Sequence, residues 1–454
     1  MSNNLDVITE IRRSREALAS VLKDHAGIRN LVEEIYPDSA HFIYELLQNA
    51  EDTGAKKCLF RLYKDRLTFE HNGRPFSKND IEAITDIGAG TKAEDDEKIG
   101  KFGIGFKAVF AYSETPHIWS QIYSFKLEML VLPFTISESV SDSEKTLFEF
   151  PFNNPKKPHK QAFSEIKKGL VDISDRTLLF LRNIQMLELQ SEGEPSLRIE
   201  RVSHSTSHIE IISHKSGTKL LSKHYLKFAR EVKNLPSQNI AIAFPLDFVR
   251  EPSFDETKKL NEQMRIVPAE PGSVSVFFPA EKEVSGLRFH VHGPFIPEVS
   301  RASIKETPLN EPLFDQLSEL AIECLYSLKE LQFLSVETLA VFPNTHDNIA
   351  PNYQKIREAI ILEMNDNNLT PSRSSGHRPA KALVNSKATL KNLLEDTDLP
   401  FWLQSDDFSE GPYWAMSATQ KNSNSDRFLS DLQIRNFDTT EFLDDIQYFA
   451  EDYR

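Results

Sequence analysis

Apolar residues at three- and four-residue steps open the chain. Over residues 5 to 35, Ile8, Ile11, Leu18, Val21 and Leu22 recur near helical spacing with polar residues between them, which predicts an amphipathic helix. A second helix is expected from about Asp38 to Asp52, capped by Asp38 or Ser39 and stopped by Gly54. The period then changes: Cys58 to Leu62 and Arg66 to Glu70 are short strand-like runs joined at Lys64-Asp65, a hairpin directly after the helix. A glycine-rich stretch from Asn72 to Gly105 follows. Strand-like runs return at Tyr123 to Phe134 and Thr146 to Phe152, before a helix around Ala162 to Leu170 and the run TLLFLRNIQMLELQ. This order predicts α/β layers over residues 1–190.

Near residue 190 the texture becomes polar and alternating, in SLRIERVS and HIEIISH, the pattern of half-buried antiparallel strands. A second domain is expected over 191–345. Its further strands are IAIAFPLDF, VSVFFPA and LRFHVHGPF, with Thr257 to Pro271 a polar excursion and Leu313 to Leu331 a long helix. TPSRSSGHRP, from Thr370 to Pro379, reads as a mobile loop or exposed hairpin. Residues 346–454 are expected to form a small, acidic, mostly helical region. No repeat of 20 to 50 residues is present.

Composition narrows the class. With 454 residues, 39% hydrophobic and 27% charged, and 31 Phe against 16 Gly, the chain is a folded protein of several cores. The N-terminal MSNNLDVITEIRRSR lacks an apolar signal core and no run reaches membrane-spanning length, so a cytoplasmic protein without membrane contact is expected. Cys58 and Cys324 make at most one bridge and no thiolate zinc site. The net charge of −15 argues against a sequence-blind nucleic-acid coat. Of it, −7 lies between Ser405 and Arg454, where 11 acidic residues face 4 basic ones.

The chemistry concentrates in HFIYELLQNAEDTGA. Glu45, Asn49 and Asp52 stand at i, i+4 and i+7, so a carboxylate, an amide and a second carboxylate share one helix face. HNGRPF, DIGAGTK and IGKFGIGFKAVF follow, the last with Gly100, Gly103 and Gly105 leading into an apolar stretch. Such glycines let backbone N–H groups approach phosphate. The charged KAEDDEK before them is no Rossmann strand, and GxxxxGK[ST] does not occur.

In this order ELLQNAED, HNG, GTK, IGKFGIGFK and then Thr146 resemble the GHKL or Bergerat-fold ATPases, and within them the sacsin-type N-terminal domains, over roughly residues 10 to 190. The resemblance implies an α+β fold: a two-layer Bergerat sandwich over 1–190, then a transducer-like middle domain and the acidic region. It implies ATP and Mg2+ as cofactors, with Glu45 orienting and deprotonating the attacking water and Asn49 completing the magnesium shell. Asp52 shares that helix face. At the adenine position it puts Asn72-Gly73, the Asn oxygen accepting from the exocyclic amine, in place of the family's Asp; Asp86, although it opens a DxGxG, is read as the start of a lid. Thr91, Lys92, Gly100, Lys101, Phe102, Gly103, Gly105 and Lys107 would surround the β- and γ-phosphates, each lysine having a solvated surface as its alternative. Ser300-Arg301 matches a middle-domain loop whose arginine reaches the γ-phosphate, against an ordinary surface arginine.

Outside the resemblance, His290 and His292 share a strand face without a third ligand, and His204, His208 and His214 are expected to be exposed strand residues. The functional expectation is a slow, magnesium-dependent ATPase whose lid closure switches a protein partner or client, chaperone-like or in bacterial antiviral defence, with ATP-dependent homodimerisation. The alternative is a nucleotide-gated scaffold with little or no hydrolysis. The chain is either a whole short protein or a piece of a longer one.

Overall fold

A computed structural model describes residues 2–24, 42–87, 104–136, 144–250, 252–298, 302–374, 376–403 and 411–452. Helix α1 (Ser2–Asp24) lays Ile8, Ile11, Ala19 and Leu22 against the first core with Leu18 packed beside them, whereas Val21, expected on that face, is exposed. Helix α2 (Phe42–Asp52) is buried nearly all round, Glu45, Gln48, Asn49 and Glu51 included, so its polar side chains must find partners inside. Its expected caps, Asp38 and Ser39, lie outside the described residues. After it, β1 (Lys57–Leu62) and β2 (Arg66–His71) form the expected hairpin, with Cys58 opposite His71.

The remaining elements of the first part are α3 (Lys78–Ile84), α4 (Ile104–Lys107), β3 (His117–Ser120), β4 (Tyr123–Glu128), β5 (Leu132–Thr135), β6 (Thr146–Pro151), α5 (His159–Val171) and β7 (Met186–Ser191). Beyond them come β8 (Leu197–Ser203), β9 (His208–Lys215), β10 (Thr218–Val232), β11 (Leu235–Phe248), β12 (Met264–Ile266), β13 (Val274–Val276), β14 (Phe278–Pro279) and β15 (His290–His292). Among the described residues these fifteen strands make one mixed sheet, ordered β14-β13-β15-β11-β10-β9-β8-β7-β1-β2-β6-β3-β4-β5 with β12 beside β11. The β1–β7 pairing is parallel and returns the chain beside its own hairpin.

The expected division at 190 does not coincide with a gap. β7 pairs with β8 across it, and Ile199, Ile209, Ile211, Tyr225 and Ala241 complete the core that begins in α1 and α2. Alternation supplies the reason: the opposite parity of β10 and β11, Leu226, Ile240, Ile242 and Phe244, belongs to a second core under α6 (Glu311–Glu330). Nor does packing break at 345. Helices α7 (Pro351–Asp366) and α8 (Asn424–Asp431) add Tyr353, Ile356, Ile360 and Phe428 to that second core. A third, small core around Val384, Leu399, Trp414 and Phe437 remains, built on a three-stranded parallel sheet as well as helices. TPSRSSGHRP is a hairpin, Thr370 pairing with Arg378. Cys58 and Cys324 are free and sit in different cores. No helix among the described residues is long and apolar enough to cross a membrane.

Candidate functional site

Helix α2 carries Glu45 at 3% and Asn49 at 6% exposure, one turn apart and on one face. What presses on that face is α4. A Cβ added to Gly105 would stand 2.2 Å from the Glu45 carboxyl carbon, so only glycine lets the backbone come this close. Asp52, at the end of the helix, is partly exposed.

Across from α2, one row of side chains runs over four strands in register: Cys58 opposite His71, His71 opposite Thr146, Thr146 opposite Ser120. Thr146 is fully buried and its hydroxyl lies 2.7 Å from that of Ser120, which also accepts from the Phe76 N–H at 2.9 Å. The loop leading away from β2 is clamped at each residue. Gly73 lies where a Cβ would come within 2.1 Å of Thr53 Oγ1, the Arg74 N–H donates to Thr53 O at 2.8 Å, and Ser77 with Asp80 forms a capping box for α3.

Here the expectation for Asn72 needs correction. Its side chain points outward, and its Oδ1 accepts from both the Lys56 and Lys57 N–H groups at 2.9 Å, which uses its two lone pairs. The core-facing residue is His71, 3% exposed, which the motif reading passed over. Strand parity was the available signal, since Leu67, Phe69 and His71 alternate onto one face. The Gly73 N–H donates to His71 Nδ1 at 3.1 Å, and burial lowers this imidazole to about 4. The neutral ring therefore carries its proton on Nε2 and presents a donor. A cleft of about 420 Å³ lies over the outward positions of β1, β2 and β7, lined by Lys57, Leu59, Glu70, Asn72, Met186 and Glu188. Asp86 is salt-bridged to Arg15 at 3.2 Å.

Lys107 is also not where a phosphate could meet it. It is fully buried, and its Nζ donates to the carbonyls of Ile84 and Leu130. Burial first, helped by Arg15 and opposed by Asp86, lowers this amine to about 7. A base whose folded pKa is depressed weakens the fold as pH falls toward that pKa, so stability is expected to rise between pH 7 and the ordinary lysine value of 10.5. Lys227 and Lys391, lowered to about 7 and about 8 by burial, act in the same direction. Lys107→Met should remove one of these contributions, up to about 1.4 kcal/mol per pH unit. Thermal melts of both proteins at pH 7 and pH 9.5 check this; an undiminished slope in the variant would show that Lys107 is not the source.

Thr91, Lys92, Gly100, Lys101, Phe102, Gly103 and Arg301 lie outside the described residues. The stem that carries Arg301 is described: Pro297 bridges Ile304, and the Lys282 N–H donates to Ala302 O at 2.8 Å. The segment preceding Lys282 meets α2, with the Phe278 ring 5.0 Å from that of Tyr44, the residue before Glu45.

Two further polar groups were not anticipated. Glu51, on another face of α2, accepts from the N–H groups of Arg182, Asn183 and Ile184 at 2.6, 2.7 and 2.8 Å. His208, expected to be exposed, is 3% exposed and hydrogen-bonded to His224. His290 and His292 are buried strand residues; Ser273 donates its N–H to His290 Nδ1 at 3.0 Å, and His292 stacks on Phe180.

Residues 25–132, which span α2, the hairpin and the glycine-rich stretch, match the Sacsin domain. The Arabidopsis thaliana protein NO VEIN is 25% identical over 447 residues, a match covering 87% of this chain and 16% of that protein. Human sacsin is 32% identical over 113 residues, 21% of this chain and 2% of sacsin. The chain thus spans less than a fifth of the length of these relatives. The crystal structure of the N-terminal domain of a DNA repair protein aligns with 66% of this chain and 99% of its own at 11% identity, with a TM-score of 0.37. These matches support a sacsin-like relationship.

Proposed function

We propose that the chain binds ATP with magnesium between α2 and the row Cys58-His71-Thr146-Ser120, and hydrolyses it slowly as a conformational switch. The observation that carries this reading is the buried Glu45–Asn49 pair on α2, with Gly105 placed against the carboxylate. A buried carboxylate beside a buried amide is a pair of the kind active sites concentrate. The match of residues 25–132 to the Sacsin domain supports a chaperone-type, ATPase-related role.

In this mechanism Glu45 accepts a proton from the water that attacks the terminal phosphate and holds that water in line. Asn49 Oδ1 would hold magnesium, whose oxygen-rich shell needs one protein amide beside waters and phosphates, and the bound ion would supply charge neutralisation. His71, as an Nε2–H donor, takes over the base-facing position expected of Asn72 and favours a ring nitrogen or carbonyl acceptor. Thr91, Lys92 and Lys101 would bind the phosphates. Arg301 would report nucleotide state to the second core, a part supported by the stem that meets α2 beside Tyr44.

The test is calorimetry of ATP, ADP and GTP with and without magnesium, beside phosphate release. Wild type should bind ATP in a magnesium-dependent way, and Asn49→Ala should weaken that binding at least tenfold with an unchanged circular dichroism spectrum. Binding without phosphate release would favour a nucleotide-gated scaffold. Absence of nucleotide binding by wild type would end the proposal.

A further inference from the structure

At the turn between β8 and β9, four polar side chains from three chain segments converge on the sheet face opposite the first core. Glu210 on β9 stands directly across from His224 on β10, with Ser222 two residues away on the same face of β10. His204, from the turn, brings its Nε2 to 2.8 Å from Glu210 Oε2, and His224 Nε2 lies 3.8 Å from Glu210 Oε1. One ligand atom from each of His204, Glu210 and His224 falls within a 4.8 Å sphere of mutual distance.

The surroundings distinguish this group from an ordinary ion pair. Each of the three residues has its remaining polar atom held from outside. His204 Nδ1 faces the Glu256 carboxylate at 3.2 Å, His224 Nδ1 faces His208 Nε2 at 3.0 Å, and Glu210 Oε1 accepts from Ser222 and from Lys219 Nζ. A carboxylate or imidazole behind a ligating imidazole fixes its tautomer and orientation, so that the other nitrogen faces the metal. Donation from His224 Nδ1 to His208 leaves His224 Nε2 with a lone pair toward Glu210. Phe254 closes the site, its ring 4.7, 4.8 and 5.6 Å from those of His204, His208 and His224.

We infer that His204, Glu210 and His224 form a binding site for a zinc-type divalent ion. Two imidazoles and a carboxylate suit this class, and a water or Ser222 Oγ fills the fourth position. With metal–ligand bonds of about 2.0–2.2 Å, tetrahedral donors stand roughly 3.4 Å apart. The three donor atoms lie within 4.8 Å of one another, and a bound ion would draw them together. The ion would pin the β8–β9 turn to β10 and, through Glu256, to the excursion after β11. It would act on the second part of the chain, independently of the nucleotide reading.

The experiment titrates zinc chloride into the chelator-treated full chain by calorimetry, with cobalt(II) absorption as a second readout. One equivalent should bind, with a rise in melting temperature that EDTA reverses. His204→Gln and Glu210→Gln should weaken binding at least a hundredfold. Glu256→Gln, an exposed change that leaves folding intact, should weaken it about tenfold. His346→Ala, at an exposed histidine elsewhere, should change nothing. No zinc binding by wild type overturns the inference, as does binding that Glu210→Gln and Glu256→Gln leave unchanged. Should His204→Gln or Glu210→Gln unfold, Glu256→Gln alone decides.

Discussion

Glu45→Gln is expected to lower phosphate release by about 10²–10⁴-fold, the range a positioned general base contributes, while ATP affinity stays within about threefold. Gln is chosen because it keeps the shape that fits against Gly105, where no side chain can be accommodated. A residue that only packs would tolerate this isosteric change. A base cannot, because the amide accepts no proton from water. Single-turnover phosphate release and calorimetry on the same preparations separate the two. Unchanged turnover in Glu45→Gln, with wild type active, would remove the carboxylate from the mechanism and leave the binding site standing.

The largest loss of stability is expected at Glu51, in the same helix but with a different task. Its carboxylate collects three backbone N–H donors from residues 182–184, just before β7, and the Asn183 side chain donates to Glu51 O at 3.1 Å. These contacts join α2 to the parallel strand that closes the hairpin's outer side. Removing the acceptor strands three backbone donors at once, that of Ile184 buried and those of Arg182 and Asn183 partly so, and breaking a charge-assisted group of this kind costs about 3–5 kcal/mol. Glu51→Ala should therefore lower the unfolding free energy by about that amount, whereas Glu51→Gln, whose oxygen still accepts, should lose roughly half. Denaturant titrations measure both. A loss near 1 kcal/mol or less, about what a lone surface polar contact supplies, would show that these bonds are replaceable.

The contrast between Glu45 and Glu51 marks the reach of local reasoning. Helical spacing places Glu45 with Asn49 and turns Glu51 away from them, and the chain alone shows both facts. It does not show what waits on each side. Glu51 acquires its purpose from residues more than 130 positions later. Lys107 looks like a phosphate ligand in the motif, and becomes a core residue because Ile84 and Leu130 present two carbonyls to it.

Asn72 and His71 part for a different reason. The motif match picks Asn72 for the adenine position, whereas the period-two alternation of Leu67, Phe69 and His71 assigns the inner face to His71. The burial of His208 and its approach to His224 could not be read this way, because they depend on the β9–β10 register and on Phe254 folding back over the strands. The continuity of the sheet past residue 190 was equally hidden. A change in surface polarity resembles a domain boundary, although the strands on both sides remain hydrogen-bonded.

By itself, then, the sequence determined the elements whose evidence is periodic and short in range: α1, α2, the β1–β2 hairpin, and the shared face of Glu45 and Asn49. Tertiary structure alone decided which donors reach Glu51, where the Lys107 amine lies, how the cores divide, and that His204, Glu210 and His224 meet. Backbone geometry sets the face a side chain takes within a few residues, whereas the group it meets is set by strand pairing and packing between distant segments, which no local period encodes.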